Sequence, residues 1–147
     1  PSIPSIYNRL TIEFAVRSSF VTNETNLMLR YNGDATAGNY RYDAWRSNAT
    51  GNANDAGSTF IIGVANIPGA NTGASHYSHG EIEILQYTSP SFFKTALVHI
   101  GGFTAGNSQV NSNGMMEWLS TGTITQLEFQ VSGTFIAGSF FRVYGEY

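Results

Sequence analysis

"ITQLEFQVSGTFIAGSFFRVYGEY", residues 124–147, is the stretch whose reading decides the fold. Leu127, Phe129 and Val131 alternate with Glu128 and Gln130, which gives one apolar and one polar face at the period of a half-buried strand. Ala137-Gly138-Ser139 then reads as a turn, because glycine supplies the positive φ that tight turns use. A second aromatic strand, "SFFRVYGEY", runs to Tyr147. A chain that closes on its most apolar strand is expected to hold that strand inside a sheet, against a neighbouring copy as well.

The same period recurs upstream. "RLTIEFAVRS" puts Leu10, Ile12, Phe14 and Val16 on one face and Arg9, Thr11, Glu13 and Arg17 on the other. "NLMLRY" sets Leu27, Leu29 and Tyr31 against Met28 and Arg30, and the Asn32-Gly33 turn signal follows. "NYRYDAW", "STFIIGVA", "EIEILQY" and "FFKTALVHIGGF" read as further strands, and "MMEWLS" as a short one. "GNANDAG", "NIPGANTGASHYSHG" and "GFTAGNSQVNSNG" read as loops, being rich in Gly, Asn and Ser. Turn signals fall at the spacing of sandwiches and barrels, and no window has helical periodicity. The expected fold is therefore all-β with negligible helix. It is a two-sheet antiparallel jelly-roll-like sandwich of eight or nine strands, in one domain over residues 1–147.

Composition narrows the function. Charged residues make up 12% of the 147 and the net charge is −3, with no run of Lys or Arg. Binding to a phosphate backbone needs clustered positive charge, so nucleic acid is not an expected partner. There is no cysteine, which excludes thiol chemistry and disulfides. No stretch of 18 apolar residues is present, so no membrane-spanning helix is expected. A surface of Ser, Thr, Asn and Gly suits a protein held in an assembly or facing the environment.

Candidate chemistry is sparse. Glu81 and Glu83 share one strand face about 6.5–7 Å apart, a spacing at which paired carboxylates hydrolyse glycosides, but the solvent face of an alternating strand is the default. His76, His79 and Glu81 are metal-ligand types at a loop-to-strand junction with no further cluster, and His99 falls on a wet strand face. Asp34, Asp43 and Asp55 lie in or near expected loops without calcium-loop spacing. No nucleophile elbow, phosphate loop or dinucleotide fingerprint occurs. We expect no catalytic residue, no cofactor and no metal. Asn23-Glu24-Thr25 and Asn48-Ala49-Thr50 match the glycosylation triplet, as an Asn-rich chain will by chance. Tyr40, Tyr42 and Trp45 remain as a candidate glycan or subunit contact, since aromatic faces stack on apolar patches of ligands.

Five segments together resemble a recurrent family of tailed-bacteriophage structural proteins. They are "SIPSIYNRLTIEFAVRSS", "LMLRYNGDATAGNY", "IPGANTGASHYSHGEIEILQY", "MMEWLSTGTITQL" and "FIAGSFFRVYG". The resemblance covers most of the chain. It implies a jelly-roll-like domain exposed on a virion, with capsid decoration or cement as the first role. Receptor binding by a tail fibre or spike, through host surface glycan, is the alternative. It implies association with copies of itself as a homotrimer, and with major capsid protein or other virion proteins, and it carries over no catalytic residue. The family has a further strand or two before the "SIP" segment, so this chain is expected to lack an N-terminal strand of the family's domain.

Overall fold

The computed structural model describes residues 2–48, 51–59, 62–103 and 109–147; backbone alone is described for 46–48, 51–59, 62–65 and 109–110. Ten strands occur among these residues: β1 Arg9–Val16, β2 Glu24–Tyr31, β3 Tyr40–Asn48, β4 Gly51–Thr59, β5 Ile62–Pro68, β6 Ser78–Leu85, β7 Lys94–Phe103, β8 Gln109–Trp118, β9 Leu127–Val131 and β10 Phe140–Glu146. They form a seven-stranded sheet in the order β10-β1-β6-β7-β8-β3-β4 and a three-stranded sheet in the order β5-β2-β9. Every pairing is antiparallel. No helix is present among the described residues. The all-β two-sheet sandwich is thus as the period-two pattern predicts. The chain ends are nested: β1 pairs with β10 and β2 with β9. A last strand that returns beside the first is the Greek-key element of jelly-roll winding.

The alternating segments set the core. Leu10, Ile12, Phe14 and Val16 are buried, as are Ile82 and Ile84 of β6 and Ala96, Val98 and Ile100 of β7. Leu27, Leu29 and Tyr31 close over them from the small sheet. Ile12, Ile82 and Val98 stand in register across three strands, and the row ends in the small pair Gly114 and Ala44. Phe14 lies opposite Gly80, where a Cβ would collide with the Phe14 ring. Leu127, Phe129 and Val131 do face inward, but they are half-buried because β9 is at the margin of its sheet.

Several loops of the sequence reading are strands. "GNANDAG" belongs to β4, which pairs with β3 along its whole length. The polar half of "GFTAGNSQVNSNG" belongs to β8, between β7 and β3. Backbone hydrogen bonds carry these pairings, so side-chain polarity does not prevent them. "STFIIGVA" is not one strand: Thr59 pairs with Tyr40 in the large sheet and Ile62 with Leu29 in the small one. Asn32-Gly33 is a turn with φ of 51° and 68°, closed by Asp34 N–H donating to Tyr31 O at 2.9 Å. It passes the chain from the small sheet to the large one and does not join a hairpin.

Arg17 is the clearest reversal. Alternation puts it on the wet face, yet it is 6% exposed. It lies just beyond β1, where its guanidinium donates to the carbonyls of Ala70 (3.2 Å), Thr72 (2.5 Å) and Ala74 (3.1 Å). The "IPGA" loop is held from the other side as well, by Ala70 N–H to Phe20 O at 2.7 Å and Asn71 N–H to Thr22 O at 3.0 Å. A Cβ at Gly69 would meet the carbonyl oxygens of Thr22 and Phe20, backbone atoms that cannot swing aside. Gly69→Ala is therefore expected to destabilise by about 1–3 kcal/mol, as overpacking does. Gly101→Ala, into open space, should change stability by less than about 0.5 kcal/mol. Urea unfolding of the two variants measures the contrast.

Candidate functional site

The seven-stranded sheet turns one broad face to solvent. Register places Glu13, Glu81, His99, Asn113 and Trp45 in one row across β1, β6, β7, β8 and β3. The next row holds Ala15, His79, Gly101 and Asn111. Gly101 has nothing within 4 Å of where a Cβ would stand, so the second row dips at that position. The result is an open trough of about 460 Å³ on β6, β7 and β8, lined by His79, Glu81, His99, Gly101, Asn111 and Asn113. A second hollow of about 440 Å³ continues from it past His79 and Gly101 towards Tyr77 and Phe103. Asn113 Oδ1 lies 2.7 Å from His99 Nδ1, which fixes both side chains on the sheet.

The three aromatic residues singled out from sequence do not form one surface. Tyr40 is fully buried; its hydroxyl donates to Asp34 O at 3.0 Å and accepts from Tyr31 N–H at 3.1 Å. Burial pushes its phenol above the usual value, although the contact with the Tyr31 backbone works against this. Tyr42 is half-buried against the core. Trp45 sits at the opposite parity on β3, 45% exposed, one strand beyond Asn113 and not among the residues that line the trough. Residue parity alone separates Trp45 from the other two, a signal the grouping by proximity overlooks.

Glu81 and Glu83 share the outer face as expected, but they have different partners. Glu83 takes Arg9 Nη1 at 2.5 Å, and Arg9 also pairs with Glu146. The Arg9 hydrogen bond holds Glu146 below the usual carboxylate range. Glu81 stands between Glu13 and His99. His79 is exposed on β6, whereas His76 lies in the preceding loop with Nδ1 buried and unpartnered. Among the described residues no group of three His, Cys, Asp or Glu is arranged to hold a metal ion.

The aspartates part company too. Asp34 accepts from Trp118 Nε1–H at 2.7 Å, Asn39 Nδ2–H at 2.9 Å and Thr36 N–H at 2.9 Å. Desolvation alone would raise its carboxyl, but these three donors outweigh it and hold the group well below the carboxylate range. It is a structural anchor. Asp43 is exposed on β3, and the side chain of Asp55 lies outside the described residues. Of the two glycosylation triplets, Asn23-Glu24-Thr25 runs into the start of β2, and part of Asn48-Ala49-Thr50 lies outside the described residues.

Exposed apolar side chains are spread over the surface, and one group of them belongs to β10. β10 is at the margin of the large sheet and β9 at the margin of the small one. Between them runs a groove of about 450 Å³, lined by Ile3, Tyr7, Leu10, Leu127, Val143 and Gly145 among others. Val143 lines it and is exposed, whereas Phe140 and Tyr144, at the opposite parity of β10, are exposed on the outer face of the sheet. Comparison with protein-family models, with curated proteins and with solved structures found no match.

Proposed function

We propose that this chain is a non-enzymatic structural protein of a bacteriophage particle, exposed on the virion, with capsid decoration as its role. The resemblance of its five segments to tailed-phage structural proteins supports the virion reading. Those segments fall on points that hold the sandwich together: the Asn32-Gly33 turn, the "IPGA" loop under Arg17, and the Gly138 turn, where Tyr77 Oη–H donates to Ala137 O at 2.7 Å.

The observation that carries the assembly part is the β10 flank. A marginal strand offers unpaired backbone groups, and proteins that stay monomeric blunt such edges with charge, proline or a cover. β10 exposes Val143 in an apolar groove on its inner face, and Phe140 and Tyr144 on its outer face among the charged Arg142 and Glu146. A second copy of the chain is the occupant this flank fits, and the resemblance implies three copies around an axis. Each contact need only be modest, because many act together on a particle.

Sedimentation of the purified chain at micromolar concentration tests this. A trimer is expected, and Val143→Lys should weaken association by about tenfold or more, equivalent to about 1.4 kcal/mol. A stable monomer at that concentration, or a trimer indifferent to Val143→Lys and Tyr144→Lys, contradicts the reading. Receptor binding by a fibre or spike is the second reading, and the trough beside Trp45 is the observation that favours it.

A further inference from the structure

We propose that the trough over Gly101 is a binding subsite for a neutral oligosaccharide, with Trp45, one strand beyond its Asn113 margin, as a stacking face. The site stands on its own geometry and does not depend on the place of the protein in a particle.

Three properties point to that ligand. The first is chemical variety at short range. Asn111 and Asn113 each offer an amide donor and acceptor, Glu81 accepts, and the imidazoles of His79 and His99 can do either. Sugar hydroxyls, which donate and accept at once, need such a mixed set. The second is an aromatic face in line with those groups. Trp45 is the register partner of Asn113, and Asn113 that of His99. Trp45 and Glu81 are three strand spacings apart, about 14 Å, the scale of a short oligosaccharide rather than one ring. The third is charge. Among the described residues no Lys or Arg lines either hollow, and Glu81 has Glu13 as its neighbour on β1. Phosphate, sulfate and carboxylate groups would meet two carboxylates, so an acidic glycan is disfavoured.

The floor explains why the site is open. A side chain at Gly101 would project into the trough, since an added Cβ there meets only open space. The hollow continues past Gly101 towards Tyr77 and Phe103, so a linear chain has room to extend. Its binding groups stand mainly on paired strands and not on loops, so little ordering is needed when ligand arrives. An open site of this kind binds weakly, with dissociation constants of about 1 mM, an affinity that many copies on one surface would multiply.

The experiment is a nitrogen-15 NMR titration of the full chain. The probes are neutral di- and trisaccharides built from glucose, galactose, mannose and N-acetylglucosamine. At least one probe should shift the Trp45 indole N–H and the Asn113 side-chain amide, while the indole of buried Trp118 stays still. Gly101→Val, which fills the floor, and Trp45→Ala, which removes the stacking face, should each weaken that binding by about tenfold or more. Tyr42→Phe, on the core side of β3, should leave it unchanged. Spectra of each variant away from the trough report whether the sandwich is intact. Absence of any shift with every probe overturns the proposal. So does binding that survives both Gly101→Val and Trp45→Ala.

Discussion

Trp118→Ala is expected to cost about 3–5 kcal/mol, at the upper end for a buried side chain. The indole stacks on Tyr40 with centroids 6.5 Å apart and packs on Tyr31 at 5.7 Å. Its Nε1–H donates to Asp34, which also holds the turn between β2 and β3. Truncation therefore opens a cavity against two tyrosine rings and leaves a carboxylate short of a donor. Trp118→Phe separates the two effects, because it keeps most of the packing and should cost about 1–3 kcal/mol for the lost donor. Equal losses for Phe and Ala would mean that the hydrogen bond outweighs the packing. The Asp34 carboxyl adds a pH signature. Its folded pKa is depressed from 3.8, so its contribution is complete above that value and is lost as pH falls through the folded one. Acid unfolding of the wild type should accordingly begin below about pH 4.

Lys94→Ala is expected to cost about 2–4 kcal/mol, from charge-assisted hydrogen bonds lost in a buried site. Lys94 is fully buried at the start of β7, and its ammonium donates to the carbonyls of Ser89, Phe92 (2.9 Å) and Thr121 (3.1 Å). It ties two connections, after β6 and after β8, to one end of the large sheet. Burial lowers its pKa from the usual lysine value. Lys94→Met keeps the stem and removes the donors, so chemical denaturation of the Met and Ala variants divides the loss between packing and hydrogen bonding. A Met variant as stable as wild type would show that the three carbonyls find other partners.

What the sequence made legible follows from where one face is wet and one dry. β1, β2, β6 and β7 bury alternate residues over most of their length, and all four can be read from period two alone. β4 and the first half of β8 carry no such pattern. Their Asn, Gly, Ser and Ala residues pair through the backbone, and the inward-facing Gly114 is small where β1 and β6 have Ile12 and Ile82. Arg17 escaped for a different reason: its acceptors are carbonyls of a loop some fifty residues away, and no local spacing announces them. The trough was half visible. Sequence grouped Glu81 with Glu83, His76 and His79, and Trp45 with Tyr40 and Tyr42, and left His99 alone, but only the register of β6, β7, β8 and β3 puts Glu81, His79, His99 and Trp45 on one face. The Gly101-Gly102 pair read as the end of a strand, and the role of Gly101 as a floor needed the sheet around it.

The central claim is that the chain works by position on a phage particle and by contact with its own copies. Electron microscopy of particles carrying this chain, labelled through a tag on the exposed loop at Ser75, tests it most directly. The account predicts label at regularly repeated sites on the outer capsid surface, in groups of three. Particles without label, or label confined to a fibre tip, would contradict it, and the second result would move the function to the trough beside Trp45.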